Sequence, residues 1–233
     1  MSQSNSPRNK SLFARAIGVL ADPGPTFEDI VNSPDFVIPV LFILLAGVLG
    51  LVPVLHTLET MPELIPSGTP MPAKSVTVGI TLFSSIISQL IWWPVRALIF
   101  GGIGAFLGSK VDFRKSLAIS GYLNVTLVIS GIITAIVIAT TGHAVVLGLG
   151  MTLSPEQLAT PWGVVLSNVN VFSLMYIALS SVALHKLWDV KISKAASITI
   201  IMWILVIALS AGGAYLGSKL TGITGLQIET GLN

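Results

Sequence analysis

The chain has 233 residues, of which 53% are hydrophobic and only 9% are charged. Soluble domains carry about 25% charged residues, so this composition excludes an ordinary soluble fold and indicates a protein whose solvent is lipid. The net charge is only +2, and the absence of cysteine excludes disulfide bonds, thiolate metal sites and a cysteine nucleophile.

The N-terminal segment, residues 1–35, predicts a cytoplasmic interfacial region and no cleavable signal peptide. Arg15 interrupts its only apolar run, and the turn sequence Asp22-Pro23-Gly24-Pro25 follows. On either side of that turn, apolar residues recur with helical spacing, and the second set follows a capping-box pattern. We therefore expect two short amphipathic helices on an anionic leaflet. Their apolar faces consist of Phe13, Ile17 and Leu20 in the first helix, and of Phe27, Ile30 and Val31 in the second.

Five later segments are long and apolar enough to cross a bilayer, which requires about 20 mostly apolar residues for about 30 Å of hydrocarbon. The predicted fold is therefore an all-α polytopic transmembrane bundle of five helices. It forms a membrane domain at 36–217, followed by a short extracytoplasmic tail at 218–233. The predicted spans are 36–56, 76–107, 116–140, 162–187 and 195–216.

The distribution of Lys and Arg predicts the orientation of the bundle. Cytoplasmic loops carry an excess of these residues, and nine of them fall on one side of the predicted topology. They are Arg8, Lys10, Arg15, Lys110, Arg114, Lys115, Lys186, Lys191 and Lys194. The opposite side carries only Lys74 and Lys219. We therefore expect a multi-pass protein of the cell membrane, with its N-terminus in the cytoplasm and its C-terminus outside.

Four stretches in this order resemble the bacterial branch of the Yip family, the Ypt/Rab-interacting membrane proteins. The first is IGVLADPGPTFEDIVNSPDFVIPVL at 17–41, which resembles the family's approach to the first span. The second is the turn LGSKVDFRKSLAISGY at 107–122. The third and fourth are VNVFSLMYIALSSVAL at 169–184 and DVKISKAA at 189–196. Two positions depart from the family pattern, since Asn170 stands where an acid is common and Met175 where Trp is common.

The resemblance implies a five-span, non-enzymatic membrane protein that acts through protein or lipid partners. It also implies an accessory role near ABC-type exporters, which some bacterial members are thought to fill. The N-terminal Tyr-Gly-Pro-type motif of eukaryotic members is absent, which disfavours a role in vesicle traffic and favours a prokaryotic plasma membrane.

Arg96 lies deep inside a predicted span, eleven residues before the end of that span at Leu107, whereas Lys186 lies one residue from the end of the fourth span. A charge at that depth is a functional-site hypothesis, and the functional interpretation is a site for an anion or a lipid headgroup. The structural alternative is that the hydrocarbon part ends at Pro94, so that Arg96 reaches the headgroups and Ala97–Gly108 lies along the interface. The sequence leaves both alternatives open.

Other polar residues in the spans suggest a cluster around Arg96. The candidate cluster consists of Gln89, Arg96, Asn124, Asn168 and Asn170. Such groups either join helices through hydrogen bonds or line a path for a small solute or a lipid. A carrier that uses Arg96 and Asn124 is therefore the alternative function, and an intramembrane enzyme is a third.

Two further sets of residues are candidates for contacts. Gly104, Gly108, Gly213 and Gly217 form small-xxx-small patterns that allow helices to approach closely, either within the chain or in a homo-oligomer. Candidate contacts to a partner protein or to lipid are Lys110, Arg114, Lys115, Lys186, Lys191 and Lys194.

The sequence predicts no catalytic site, cofactor or metal site. The three histidines are far apart in the topology, and no known catalytic or phosphate-binding motif occurs. The expected partners are the lipid bilayer and another integral membrane protein, and anionic lipid accounts for the basic turns without nucleic acid. The leading prediction is an accessory or scaffold protein without enzyme activity.

Overall fold

The computed structural model describes residues 11–60, 74–143, 147–158 and 160–229, and all regular structure in these ranges is helical. A 3-10 turn at Leu149–Thr152 follows the third span. The α-helices are α1 (Leu12–Ala21), α2 (Pro23–Asn32), α3 (Val37–Leu49), α4 (Leu51–Thr60), α5 (Lys74–Phe106), α6 (Phe113–Tyr122), α7 (Val125–Thr141), α8 (Pro155–Leu158), α9 (Pro161–Asn168), α10 (Val171–Trp188) and α11 (Ile192–Glu229).

Five stretches of the described chain are long and apolar enough to cross a membrane, which confirms the predicted all-α polytopic bundle. They are Val37–Thr60, Ser75–Phe106, Phe113–Thr141, Val171–Trp188 and Ile192–Gly217. The second stretch has 32 residues, which corresponds to a helix about 48 Å long, well beyond the roughly 30 Å of hydrocarbon. Part of this span therefore extends past the apolar layer.

Three of the predicted spans contain interruptions that the apolar pattern did not indicate. The regular helix of the first is interrupted at Gly50 between α3 and α4, and that of the third at Leu123–Asn124 between α6 and α7. The segment 162–187, predicted as one helix, breaks at Val169–Asn170 between α9 and α10. Asn170 caps α10, because its side chain accepts hydrogen bonds from the backbone N–H groups of Phe172 and Ser173. An asparagine that bonds nearby backbone in this way favours a helix start over a helix interior.

The second and fifth spans are continuous helices. α5 runs through Pro94 to Phe106 without interruption, so Ala97–Phe106 is a direct extension of the span. α11 continues to Glu229, and the predicted tail at 218–233 is therefore helical over most of its length.

The two N-terminal helices form as predicted, but their apolar faces have different surroundings. In α2, Phe27 and Ile30 are fully buried, and the helix packs against α10 and α6. In α1, Phe13 and Ile17 are 75% and 51% exposed, and Arg15 and Val19 are the buried residues. Only α1 thus keeps an apolar face for lipid, and the expectation of an interfacial face on α2 is corrected because the bundle covers it.

One end of the bundle gathers α1, α2 and the turns that follow α5 and α10, and we call it the basic end. The Ser109 hydroxyl donates a hydrogen bond to the Trp188 carbonyl oxygen, and Trp188 Nε1–H donates to the Phe100 carbonyl oxygen over 2.9 Å. Lys186 Nζ lies 2.6 Å from Glu28 Oε2, which ties α10 to α2. These contacts fix both turns and the N-terminal helices as one unit.

Candidate functional site

Arg15 is the centre of a buried ion-pair network at the basic end. Its side chain is only 4% exposed, with Nε 2.7 Å from Asp29 Oδ2 and Nη1 2.7 Å from Asp35 Oδ2. Nη1 also donates to the Ser33 carbonyl oxygen over 2.8 Å. Tyr122, which is fully buried, donates its hydroxyl hydrogen to the same Asp35 oxygen over 2.7 Å. One guanidinium thus joins α1, α2 and the start of the first span, and Asp35 extends the network to α6.

The electrostatics of this network favour a permanently charged arginine. Burial alone would lower the pKa of Arg15, but the hydrogen bonds and negative charges of Asp29 and Asp35 outweigh it, so the pKa is raised. At the exposed edge of the same region, the hydrogen bond from Lys186 and its positive charge lower the pKa of Glu28. Both shifts favour the charged forms of Arg15 and Glu28.

Sequence reasoning missed this network. It used Arg15 as a marker of orientation and as an interruption of the apolar run, and it did not pair Arg15 with Asp29 or Asp35. A signal was present, since Arg15 lies on the face of α1 opposite to Phe13 and Ile17. A buried cation needs a paired charge, and two acids follow within about 20 residues.

Arg96 forms a second polar site, between α5 and the joint of α6 and α7. Its Nη2–H donates a hydrogen bond to Asn124 Oδ1, and Asn124 is completely buried. Arg96 Nε and Asn124 Nδ2 are also buried, and neither has a hydrogen-bond partner among the described residues. The helical break at Leu123–Asn124 places this amide at the joint, facing α5.

The level of Arg96 in the bundle follows from its neighbour Trp93. The rings of Phe36 and Trp93 make an edge contact with centroids 6.3 Å apart, and the first span begins at Val37. Arg96 lies one helical turn beyond Trp93 toward the basic end, so its backbone is about 4.5 Å further along α5. The backbone of Arg96 is therefore near the start of the first span, and its guanidinium turns into the bundle toward Asn124.

A crevice of about 680 Å³ opens beside Arg96, lined by residues of α5, α10 and α11. α11 packs mainly on α10 and α9, whereas α5 packs mainly on α6 and α3, so the space between α5 and α11 remains open. Gln89 lines the same crevice, two turns from Arg96. The structure thus brings together Gln89, Arg96 and Asn124 of the predicted polar cluster.

Asn168 and Asn170 belong to a different region, at the break between α9 and α10. Asn168 Nδ2–H donates to the Val164 carbonyl oxygen over 2.8 Å, and Asn170 caps α10 in a reciprocal arrangement with Ser173. The backbone N–H of Leu149 reaches this break and donates to the Val169 carbonyl oxygen over 3.1 Å. These two asparagines satisfy local backbone and side-chain groups, and they do not line the crevice.

The comparisons with known proteins give one match. A family model described as the Yip1 domain matches residues 17–213. The chain belongs to the Yip1 family. No curated protein and no solved structure matches it significantly.

As a member of the Yip1 family with five apolar helices, the chain is a multi-pass membrane protein. The family is not known for enzymes. The matched region begins at Ile17 inside α1 and ends at Gly213 inside α11. It therefore contains Asp29, Asp35 and Tyr122 of the network and all of the crevice, whereas Arg15 lies two residues before it. The match includes the second half of α1 and all of α2.

Acidic residues and histidines do not assemble into a metal site in the part of this Yip1 domain that the structure describes. No group of three or more His, Cys, Asp or Glu side chains lies close enough together there to hold an ion. The acids at the basic end are engaged with Arg15 or Lys186, or they cap helices, as Asp112 does by accepting from the backbone N–H of Arg114.

The candidate basic contacts all lie at the basic end. Lys110, Arg114, Lys191 and Lys194 are exposed, and Lys115 and Lys186 are half-buried. Arg114 lies over the ring of Phe36, with 6.0 Å between the guanidinium carbon and the ring centroid. The structure therefore places these cations on one surface.

The candidate packing glycines separate into two kinds. A Cβ built on Gly104 would lie 2.7 Å from Val111 Cγ2 and 2.8 Å from Trp188 Cδ1, so the turn and α10 press directly on this backbone. Gly108 follows the end of α5 with φ of +80°, a conformation that favours glycine. A Cβ on Gly213 or Gly217 would meet nothing within 4 Å in the described chain. Only Gly104 therefore serves a close contact inside the described protomer.

Substitution by alanine should have opposite effects on the stability of the protein at Gly104 and at Gly213. We expect Gly104→Ala to destabilise the protein by about 1–3 kcal/mol, because the added methyl group overpacks against Trp188 and Val111. Gly213→Ala should instead stabilise α11 by up to about 1 kcal/mol, through helix propensity alone. Thermal unfolding of both variants in the same detergent measures the difference, and equal shifts would contradict the packing assigned to Gly104.

Proposed function

We propose that this Yip1-family protein is a non-enzymatic accessory protein of the cell membrane that binds another integral membrane protein through its basic end. Its N-terminus would be cytoplasmic and its C-terminus extracytoplasmic. The observation that supports this proposal is that the basic end is preassembled. The buried Arg15 network holds α1 and α2 on the bundle, so the exposed charges around them have fixed positions.

The charge pattern of the basic end suits a protein partner. Exposed Lys110, Arg114, Lys191 and Lys194 alternate with exposed acids, among them Asp112 and Asp189. A surface that carries both signs favours a partner with the complementary pattern of charges. The excess of Lys and Arg at this end also supports its placement in the cytoplasm.

A second surface on α11 supports a partner within the membrane. Gly213 and Gly217 are exposed one helical turn apart, and a Cβ on either would lie more than 4 Å from any atom of the described neighbouring residues. Small residues at this spacing let another helix approach the backbone closely. A helix of the partner protein, or α11 of a second copy, would fit there. An ABC-type exporter is the class of partner that the family resemblance implies.

Affinity purification from native membranes in a mild detergent tests the proposal. We expect the wild-type chain to retain a membrane protein in stoichiometric amount, identified by mass spectrometry. Substituting Lys110→Gln, Lys191→Gln and Lys194→Gln together should reduce that amount by about tenfold or more, since each exposed pair contributes up to about 1 kcal/mol. Lys219→Gln, at the opposite end of the fifth span, is the matched control and should retain the partner.

Two outcomes would contradict the proposal. The first is a chain that purifies alone from its native membrane under several mild detergents. The second is an unchanged partner yield in the triple variant. Reporter fusions at both termini test the orientation separately, and an extracytoplasmic N-terminus would remove the basic end from the cytoplasm.

A further inference from the structure

The crevice between α5 and α11 combines apolar walls with a cation at one end. Its walls include Trp92, Phe100, Met202, Trp203 and Leu209. Its volume of about 680 Å³ lies within the roughly 300–1,000 Å³ of pockets that hold small ligands. Trp92 and Leu209 are 57% and 77% exposed, so the crevice opens on the side of the bundle, where lipid lies. A ligand would therefore enter from the bilayer.

Two residues that line the crevice, Arg96 and Thr199, have polar atoms without hydrogen-bond partners in the described chain. These atoms are Nε of Arg96 and Oγ1 of Thr199, and both are buried. Thr199 is only 3% exposed and lines the crevice. Buried polar groups in native structures nearly always have partners, so two unpaired atoms on residues that line one crevice indicate a missing partner.

The missing partner should carry negative charge. None of the described residues that line the crevice is acidic, and the sequence of α5 and α10 contains no Asp or Glu. Among the residues that the structure describes, the side chain bonded to Arg96 is that of Asn124, which is neutral. A guanidinium at the edge of an apolar layer without a counter-charge is costly, and guanidinium pairs well with phosphate.

The dimensions suit a lipid whose headgroup rests at Arg96. The backbone of Arg96 lies near the start of the first span, and we expect headgroups to meet the apolar layer there. From there the crevice extends to Ser88 on α5 and to Ser210 on α11. At 1.5 Å per residue these distances along the helices are about 12 Å from Arg96 and about 16 Å from Thr199. That length accepts a large part of one acyl chain.

We propose that the crevice binds one acidic phospholipid of the bilayer, with its phosphate at Arg96 and Thr199 and one acyl chain along the walls. This binding site is independent of the accessory function proposed above, because it lies on the side of the bundle and uses none of the charges of the basic end. It requires retention of a lipid, not its movement across the membrane.

Native mass spectrometry of the full chain tests the site. The probe is an equimolar mixture of phosphatidylglycerol and phosphatidylcholine with identical acyl chains, added to delipidated protein in detergent. We expect one phosphatidylglycerol to remain bound at detergent-removal energies that release phosphatidylcholine. Arg96→Gln should reduce the ratio of the two retained lipids by about tenfold, as expected for loss of hydrogen bonds to a charged group. Arg96→Lys should keep most of the preference.

A second variant tests the acyl-chain part without touching the guanidinium. Ser88→Phe fills the far end of the crevice from an exposed position, so it should fold normally and lower retention of both lipids. Ser84→Phe is the matched control, one turn away on α5 at an exposed position outside the crevice, and should have no effect. The comparison of Ser88→Phe with Ser84→Phe tests lipid binding in the crevice even if Arg96→Gln fails to fold.

Three results would overturn the proposal. Equal retention of the two lipids by the wild type would show no headgroup recognition. Unchanged retention in Ser88→Phe would place the lipid elsewhere on the bundle. Protection of the fold by millimolar inorganic phosphate, equal to that by phosphatidylglycerol, would make Arg96 a site for a free anion.

Discussion

Replacing Arg15 with leucine is expected to destabilise the protein by about 3–5 kcal/mol, the usual cost of removing one partner from a buried ion pair. The substitution leaves Asp29 and Asp35 without their counter-charge, although their side chains are only 13% and 16% exposed. It also removes the bond to the Ser33 carbonyl oxygen that holds the end of α2. Thermal unfolding in detergent measures the loss, and limited proteolysis should show α1 and α2 released from the bundle.

A matched variant separates lost charge pairing from lost packing. In Arg15→Leu combined with Asp29→Asn and Asp35→Asn, no buried charge remains unpaired, so we expect about half or more of the lost stability to return. If Arg15→Leu melts like the wild type, the network does not hold the basic end together, and the rigid surface proposed for a partner loses its support.

The sequence was sufficient for the number and order of the spans, because the thickness of the hydrocarbon layer sets a length that five apolar segments meet. It also predicted α1 and α2 with their apolar faces. It could not tell which face would be buried, since that depends on partners distant in the chain. Arg15 pairs with Asp29 and Asp35, which are 14 and 20 residues away in the chain. This contact turns the apolar face of α1 outward.

The interruptions of the spans were not predictable for a related reason. Asn124 and Asn170 look alike in sequence, as single amides within apolar segments. In the structure Asn170 caps a new helix by bonding its own backbone neighbours, whereas Asn124 lies at a joint and accepts a bond from Arg96 on another helix. Local propensity allows both outcomes, and the neighbouring helices decide between them.

At the candidate site, the surroundings of Arg96 were not predictable for the same reason. Its distance from the end of the second span left a buried site and a headgroup contact as alternatives. The contact of Phe36 with Trp93 places the backbone of Arg96 near the start of the first span, and the bond to Asn124 turns the guanidinium inward. Neither relation can be read from the spacing within α5, because each involves a different span.

Trp188 is expected to be the most sensitive aromatic residue in the protein described here. It is 1% exposed, and its indole fills the junction of α10, α5 and the turn after α5 while donating to the Phe100 carbonyl oxygen. Trp188→Ala should cost about 3–5 kcal/mol through the cavity it leaves, whereas Trp188→Phe, which keeps most of the volume, should cost about 1–3 kcal/mol. Trp162→Ala is the control, because Trp162 is 66% exposed. The melting temperature of this variant should stay near that of the wild type.

A double-mutant cycle with Gly104 makes the test of this junction specific. The methyl group of Gly104→Ala clashes with the indole of Trp188, so its cost should shrink when Trp188 is already alanine. We expect a coupling of about 0.5–3 kcal/mol, the range found for residues in contact. Part of the cost of Gly104→Ala should persist, because Val111 presses on the same position. Simple additivity of the two substitutions would mean that Trp188 does not pack on α5 at Gly104, and the basic end would then lack the junction that joins its two turns.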